Sequence, residues 1–177
     1  YLVQGYKSLY KRPETFFEGV NQLSGAEMVC IDTRLGFKTR KYWSPVVDVR
    51  SDMTLEEAVS ESRRLLLRSM KLRLRSDVPL AFCLSGGVDS ASLVSIAAKE
   101  FNCRPITFSI IDSDERYNEE ANIRSTVDDT GCEAHLLSIP QQEALPRLKE
   151  LVLYHDAPVA TITYYVHSIL SEQISKA

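Results

Sequence analysis

The sequence predicts an α/β protein in which a parallel sheet carries helices on both faces, preceded by a short β-hairpin. Three observations support this class. After residue 54, apolar runs of strand length alternate with longer segments of helical periodicity, which is typical of a parallel sheet. Before them lies a pair of strand-like runs separated by a turn. The composition, 44% hydrophobic and 25% charged, is that of an ordinary globular protein.

The first 53 residues predict a hairpin followed by a linker. Residues 26–32 and 37–43 have the pattern of two strands joined by a turn, and such a pair is marginal without a partner sheet. A short helix is predicted over residues 15–20. Residues 44–53 contain a proline, lack periodicity and precede a strong helix start, which indicates a linker.

A long helix is predicted from Leu55 to about Arg75, because Thr54 and Glu57 form a capping box at its start. Basic residues crowd its C-terminal half, between Arg63 and Arg75. They could form a nucleic-acid stripe, or a solvated face suited to the negative end of the helix dipole. The net charge of -3 and the lack of interleaved aromatic residues favour the solvated face. We therefore expect no nucleic-acid partner.

The remaining chain alternates between strands and helices. The predicted segments are a strand over 79–84, a helix over 90–101, a strand over 105–110, a helix over 119–130 capped by Asn118 and stopped by Gly131, a strand over 134–139, a helix from Pro140 to Tyr154 and a helix over 161–177. No apolar run approaches the ~20 residues that span a bilayer, so we expect no membrane partner. In parallel sheets, ligands bind beyond the carboxyl ends of the strands.

The loop Leu84–Ser90, with the sequence Leu-Ser-Gly-Gly-Val-Asp-Ser, has the chemistry of a phosphate site. Unpaired N–H groups and the helix dipole gather positive potential at a strand-to-helix turn. The two glycines let the backbone approach a bulky anion, and the two serines add hydroxyl donors. The Asp89 carboxylate would repel a phosphate unless a cation lay between them. The loop therefore predicts a nucleotide bound with a divalent metal.

The loop differs from the common nucleotide-binding patterns. No lysine follows the glycines, as it does in Gly-x-x-x-x-Gly-Lys loops, and the Gly-x-Gly-x-x-Gly pattern is also missing. A loop that holds terminal phosphates without a lysine suits the release of pyrophosphate better than transfer of the γ-phosphoryl group.

The four cysteines are scattered, with no Cys-x-x-Cys pair. We interpret Cys30, Cys83, Cys103 and Cys132 as buried free thiols, and disulfide or zinc roles as unfavoured. This interpretation predicts a reducing, cytoplasmic location.

Several motifs in the chain resemble those of known families. Ser85–Ser90 resembles the pyrophosphate loop of the N-type ATP pyrophosphatases, and Leu74–Leu84 before it resembles the run that precedes this loop in glutamine-hydrolysing asparagine synthetases. Further matches to that family are the strand Ile106–Ile110, the motif Tyr117-Asn118-Glu119 with Arg124, Gly131 and His135, and the run Lys41-Tyr42-Trp43 that closes the glutaminase domain. Cys132 and Ala134 depart from the pattern, standing where Thr and His are usual.

The resemblance implies a Rossmann-like synthetase domain of the adenine nucleotide alpha hydrolase type. Such a domain binds ATP and Mg2+, adenylates the side-chain carboxylate of aspartate, releases pyrophosphate and amidates with glutamine-derived ammonia. By position, the pyrophosphate would be held by Ser85, Gly86, Gly87, Asp89 and Ser90, Mg2+ by Asp89, and adenosine by Leu84 and Ile110. No catalytic residue is assigned within the chain.

The resemblance also divides the chain. Residues 1–43 would be the tail of a glutaminase domain of the N-terminal-nucleophile type, 44–53 a linker, and 54–177 the first part of the synthetase domain. Tyr1 is not the cysteine nucleophile of that domain, and the family's later acidic Ser-Gly loop does not occur. We therefore expect a piece of a longer protein, inactive in amide synthesis by itself. A homodimeric full-length protein is compatible with the resemblance.

Three alternatives stay open. One is a relative that adenylates another carboxylate, in β-lactam formation or in sugar or peptide amidation. Another is a non-catalytic nucleotide-binding scaffold that keeps the fold. A third, nucleic-acid modification on the same ATP-binding fold, would need a basic surface, for which the Arg63–Arg75 cluster is the sole support.

Overall fold

The computed structural model describes residues 13–34, 36–47, 52–139 and 144–177. Strands and helices alternate after the first two strands, which confirms the predicted α/β class. The elements in chain order are β1 (Glu27–Asp32), β2 (Gly36–Lys41), α1 (Leu55–Arg73), β3 (Ala81–Cys83), α2 (Val88–Lys99), β4 (Ile106–Ile111), α3 (Glu120–Thr130), β5 (Glu133–Ser138), α4 (Ala144–His155) and α5 (Thr163–Ile174).

Strands β3, β4 and β5 form a parallel sheet in that order. Ala81 pairs with Ile106 at the start of β3, and Cys83 pairs with Phe108 at its end. Parallel neighbours need a crossover connection, and α2 and α3 supply the two crossovers. The carboxyl ends of the three strands therefore meet at one edge, where β4 continues past the end of β3 to Ile111.

Both faces of the sheet are covered, as predicted. Thr107, Phe108 and Ser109 are consecutive residues of β4, and all three are buried. Neighbours along a strand point to opposite faces, so neither face of β4 is open to water. Helix α5 contacts β4. The core cluster beside α2 and α3 comprises Leu84, Val94, Ile123 and Cys132, with Phe82, Ala91, Ile111, Val127 and Leu136 packed around it.

Strands β1 and β2 form an antiparallel hairpin, paired from Glu27 with Lys41 to Asp32 with Gly36, which confirms the predicted hairpin. Every residue of β2 is exposed. The short helix predicted over residues 15–20 is wrong. A turn forms instead, because the Thr15 hydroxyl donates to the carbonyl of Val20 at 2.8 Å and Gly19 adopts a φ of 72°.

The capping residues predicted for α1 and α3 lie at the ends of these helices. Glu57 N donates to Thr54 Oγ1 at 3.2 Å and Thr54 N donates to Glu57 Oε2 at 2.9 Å, which confirms the capping box. Gly131 ends α3 with a φ of 64°, as expected for a left-handed C-terminal glycine. Helix α3 begins one residue later than predicted, with Glu119 as its flanking residue. The predicted capping bond still forms, since Asn118 Oδ1 accepts from Glu120 N at 2.8 Å.

Both of the last two predicted helices are present. The expected start of α4 at Pro140 lies outside the described residues, and the helix that the structure describes runs from Ala144 to His155. Helix α5 covers Thr163–Ile174 rather than all of 161–177. No helix in the described part of the chain has the length and apolarity that a bilayer crossing requires.

The prediction that all four cysteines are buried is wrong. Cys132 is buried in the core and Cys103 is half-buried, whereas Cys30 and Cys83 are exposed. Cys30 lies on the exposed hairpin, and Cys83 lies on β3, one of the two edge strands of the described sheet. Partial burial still raises the pKa of the Cys83 thiol, which favours its neutral form.

The loop between β3 and α2 packs directly against the start of α3. A Cβ added at Gly86 would lie 2.5 Å from Glu119 Cβ and 3.1 Å from both Asn122 Cβ and the Glu119 carbonyl oxygen. Gly86 does not have a positive φ, so its backbone conformation does not require glycine. Glycine is required at this position because the start of α3 lies so close to it.

We expect Gly86→Ala to destabilise the protein by about 1–3 kcal/mol, the usual cost of overpacking a close contact. Gly87→Ala is the matched control, because an added Cβ there meets only the Ser85 hydroxyl, at 3.3 Å. We expect that control to cost less than about 1 kcal/mol. Urea-unfolding midpoints of the two variants check the prediction, and equal midpoints would contradict it.

Helices α4 and α5 are joined by an ion-pair network around Glu172, whose carboxylate accepts hydrogen bonds from Lys176 and Arg147. The Lys176 hydrogen bond, followed by that of Arg147, lowers the pKa of Glu172 to about 2. A carboxylate whose folded pKa is depressed stabilises the fold above its unfolded pKa, and this stability is lost as the pH falls through the folded value.

We therefore expect the stability difference between the wild type and Glu172→Gln to be full at pH 7 and to shrink as the pH falls from about 4.5 towards 2. Thermal unfolding at a series of pH values measures this difference. Glu150→Gln, at an exposed position on α4, is the control. A difference for Glu172→Gln that grows on acidification would refute the assignment.

Candidate functional site

The candidate site is the loop Leu84–Ser90, at the carboxyl end of β3 and the start of α2. Leu84 is only 2% exposed, and its N–H donates to the carbonyl of Phe108 at 2.9 Å. This bond continues the β3–β4 ladder by one residue and anchors the loop to the sheet. The strand-to-helix turn predicted from the sequence is present, at the ligand-binding edge of a parallel sheet.

The two serines of the loop bond to each other and to the loop backbone. Ser85 Oγ and Ser90 Oγ are 2.8 Å apart. Ser90 Oγ also lies 3.0 Å from the Ser85 carbonyl oxygen and 3.1 Å from Ser85 N, while Gly87 N donates to Ser85 Oγ at 3.3 Å. These bonds fix the curve of the loop without a ligand.

The amide of Gly86 is directed at a negatively charged oxygen. Gly86 N donates to Glu119 Oε2 at 3.0 Å, across 33 residues of sequence. A carboxylate oxygen and a phosphate oxygen are both anionic acceptors that take backbone N–H groups at this distance. The position that the Glu119 carboxylate oxygen occupies is therefore one that a phosphate oxygen could also take.

Asp89 lies in the first turn of α2 and is exposed. Gly87 flanks this helix start and provides no side-chain cap. Among the residues that the structure describes, no group of three or more His, Cys, Asp or Glu side chains gathers at one point. A single carboxylate fits Mg2+, which is usually held by one or two carboxylates together with substrate phosphates and water. Asp89 could therefore hold the metal only jointly with a phosphate ligand.

Ile110 lies one residue before the end of β4 and is half-buried. It shares the ligand-binding edge with Leu84, since Leu84 bonds to Phe108 two residues earlier on β4. The structure thus brings all the predicted site residues to one edge of the sheet. The half-buried side chain of Ile110 can contact a flat aromatic group such as a nucleoside base. The Leu84 side chain is buried in the core, so Leu84 can offer such a group only its backbone.

The acidic loop that follows β4 is ordered by its own contacts. Asp112 Oδ1 accepts from Asp114 N at 2.9 Å. The Arg116 guanidinium donates to both oxygens of Asp114, and this contact holds the pKa of Asp114 below its usual range. These carboxylates are therefore engaged in shaping the loop.

Glu119 lies at the same edge of the sheet, and the sequence placed it in a motif and at the start of a helix without assigning it a role in the site. Its carboxylate reaches the neighbouring loop instead of capping its own helix, in which it makes no side-chain cap bond. The predicted topology could have indicated this contact, because Glu119 follows β4 at the same edge of the sheet at which the loop follows β3.

Comparison with known proteins identifies a family to which this chain is similar. The model of the asparagine synthase family matches residues 61–177, which is more than half of the chain. Curated relatives include the amidase chyE of Penicillium rubens, 27% identical over 90% of this chain and 26% of its own length. The amidase chry2 of Gibberella zeae is 25% identical over 90% of the chain and 26% of its own length.

A bacterial relative is asparagine synthetase [glutamine-hydrolyzing] 1 of Bacillus subtilis, 33% identical over 59% of this chain and 16% of its own length. The chain spans about a quarter of the length of the two amidases that it matches. The matched region contains α1 from residue 61 onwards, the parallel sheet and the whole of the loop Leu84–Ser90. The chain therefore belongs to the asparagine synthase family.

Proposed function

We propose that this chain carries the pyrophosphate-binding half of a synthetase site that activates a carboxylate with Mg-ATP and converts it to an amide. The family is one of ATP-dependent ligases of the amidotransferase kind. The observation that carries the proposal is the Gly86 amide, which bonds an anionic oxygen at 3.0 Å in a strand-to-helix loop. Backbone amides at such turns bind phosphate groups in many nucleotide-binding proteins.

Each residue of the loop has a role in this proposal. Gly86 and Gly87 present backbone N–H groups to the pyrophosphate, and Ser85 and Ser90 set the curve of the loop and add hydroxyl donors. Asp89 would hold Mg2+, whose charge would offset the repulsion between the carboxylate and the phosphates. The Ile110 side chain contacts the adenosine, and Leu84, whose side chain is buried in the core, contacts it through the backbone.

ATP supplies the leaving group of the reaction. A carboxylate oxygen of the acceptor attacks the α-phosphorus, the bond between the α- and β-phosphates breaks, and pyrophosphate leaves from the loop. Ammonia then attacks the acyl carbon, AMP departs with the bonding pair and the amide nitrogen loses a proton. The loop stabilises the charge that develops on the departing pyrophosphate, which is electrostatic catalysis by preorganised donors.

We propose aspartate as the acceptor and glutamine-derived ammonia as the nitrogen source. The asparagine synthetases among the relatives support this choice. Residues 1–43 are then the tail of a glutaminase domain, 44–53 a linker and 54–177 the first part of the synthetase domain. The chain spans about a quarter of its two amidase relatives, so completion of amide synthesis requires the rest of the protein.

A second candidate acceptor is a carboxylate other than aspartate. Two relatives named amidases align with 90% of the chain, at 27% and 25% identity. The loop chemistry is the same for both acceptors, because pyrophosphate release does not depend on which carboxylate attacks.

Asp89→Asn tests the proposal. It removes the charge that binds the metal while preserving the size of the side chain, so we expect Mg-ATP to bind the full-length protein about tenfold more weakly or worse, a loss of ~1.4 kcal/mol or more. Titration calorimetry with Mg-ATP measures the effect.

Asp128→Asn is the matched control, because Asp128 is exposed on α3 and the substitution changes the net charge equally. We expect its affinity to stay within about twofold of the wild type, as is usual for a surface substitution. Equal affinities for the wild type and both variants would overturn the assignment of the site and favour a non-catalytic scaffold.

A further inference from the structure

The contact between Glu119 and the loop has two parts. Near the backbone, Gly86 and Glu119 are in such close contact that an added Cβ on Gly86 would lie 2.5 Å from Glu119 Cβ. Further out, the carboxylate reaches Gly86 N at 3.0 Å. The Cβ of Glu119 is thus held against Gly86. Because Glu119 is an exposed residue, its carboxylate can rotate into solvent.

We propose that Glu119 acts as a built-in competitor for the phosphate site, which makes the loop select metal-bound polyphosphates over free ones. This inference rests on the proposed function, since it concerns the same amide of Gly86. A phosphate oxygen can bond to Gly86 N only after the Glu119 carboxylate rotates away. The site is therefore in a closed form until a ligand displaces this carboxylate.

The charge of a ligand determines whether it can displace the Glu119 carboxylate. Glu119 contacts the loop and Asp89 lies at the start of α2 beyond it, so the loop carries two carboxylates and no lysine. A metal-free pyrophosphate or ATP adds several negative charges and is repelled by both. Bound Mg2+ offsets this repulsion, so Glu119 penalises free polyphosphates far more than metal-bound ones.

Glu119 could instead serve only to shape the loop, or it could be a second ligand of Mg2+. These roles make different predictions for Glu119→Gln. The amide oxygen of glutamine can still accept from Gly86 N, so the shape of the loop is retained and only the charge is lost.

The experiment measures the affinity of the full-length protein for inorganic pyrophosphate and for ATP, each with excess Mg2+ and with EDTA. We expect Glu119→Gln to bind the metal-free ligands about tenfold more tightly, as removal of one nearby like charge implies. Binding of the Mg2+ complexes should change by less than about threefold, because the cation already screens the charge.

Glu120→Gln is the matched control. It removes one carboxylate from the same turn of α3, but Glu120 pairs with Arg124 at 2.6 Å and does not contact the loop. We expect it to behave as the wild type in all four conditions. Thermal unfolding of both variants verifies that the fold is retained.

Three results would overturn the proposal in distinguishable ways. Unchanged affinities in Glu119→Gln would assign Glu119 a purely structural role. A loss confined to the Mg2+ complexes would assign it as a metal ligand. Failure of the wild-type protein to bind Mg-pyrophosphate or Mg-ATP would refute the proposed function itself, and the competitor role with it.

Discussion

The candidate site depends on the close approach of the loop Leu84–Ser90 to the start of α3. Gly86 permits this approach, because any side chain there would collide with Glu119 and Asn122. The approach joins two crossover connections of the parallel sheet at the edge where their strands end. It also brings an anionic oxygen to a backbone amide that points out of the loop. The contact between Gly86 and the start of α3 therefore determines both where the site lies and which groups meet there.

The loop is held in shape by its own polar groups. The hydroxyls of Ser85 and Ser90 bond to each other and to the backbone, and Leu84 ties the loop to β4. A loop fixed in this way loses little conformational freedom when it binds a ligand, and preorganisation of this kind favours affinity. It also keeps the donors in place as charge develops on a leaving group, which is what electrostatic catalysis requires.

Most of the fold could be predicted because its signals are local. The capping box at Thr54, the glycine that ends α3 and the alternation of strands and helices are each written in a few adjacent residues. The misassigned parts depend on one particular side-chain contact and on tertiary context. The 15–20 segment forms a turn through a side-chain bond that propensity does not reveal, and Cys83 is exposed because β3 lies at the edge of the described sheet. The bond between Glu119 and Gly86 spans 33 residues, so no local pattern could reveal it.

Membership of the asparagine synthase family and the geometry of the loop lead to one central claim, that the loop binds the pyrophosphate end of ATP while a carboxylate attacks the α-phosphorus. Product analysis of the full-length protein with ATP, Mg2+, an ammonia source and candidate carboxylic acids tests this claim most directly. We expect AMP and pyrophosphate in equal amounts, one of each for every amide formed. Formation of ADP and inorganic phosphate instead would contradict it.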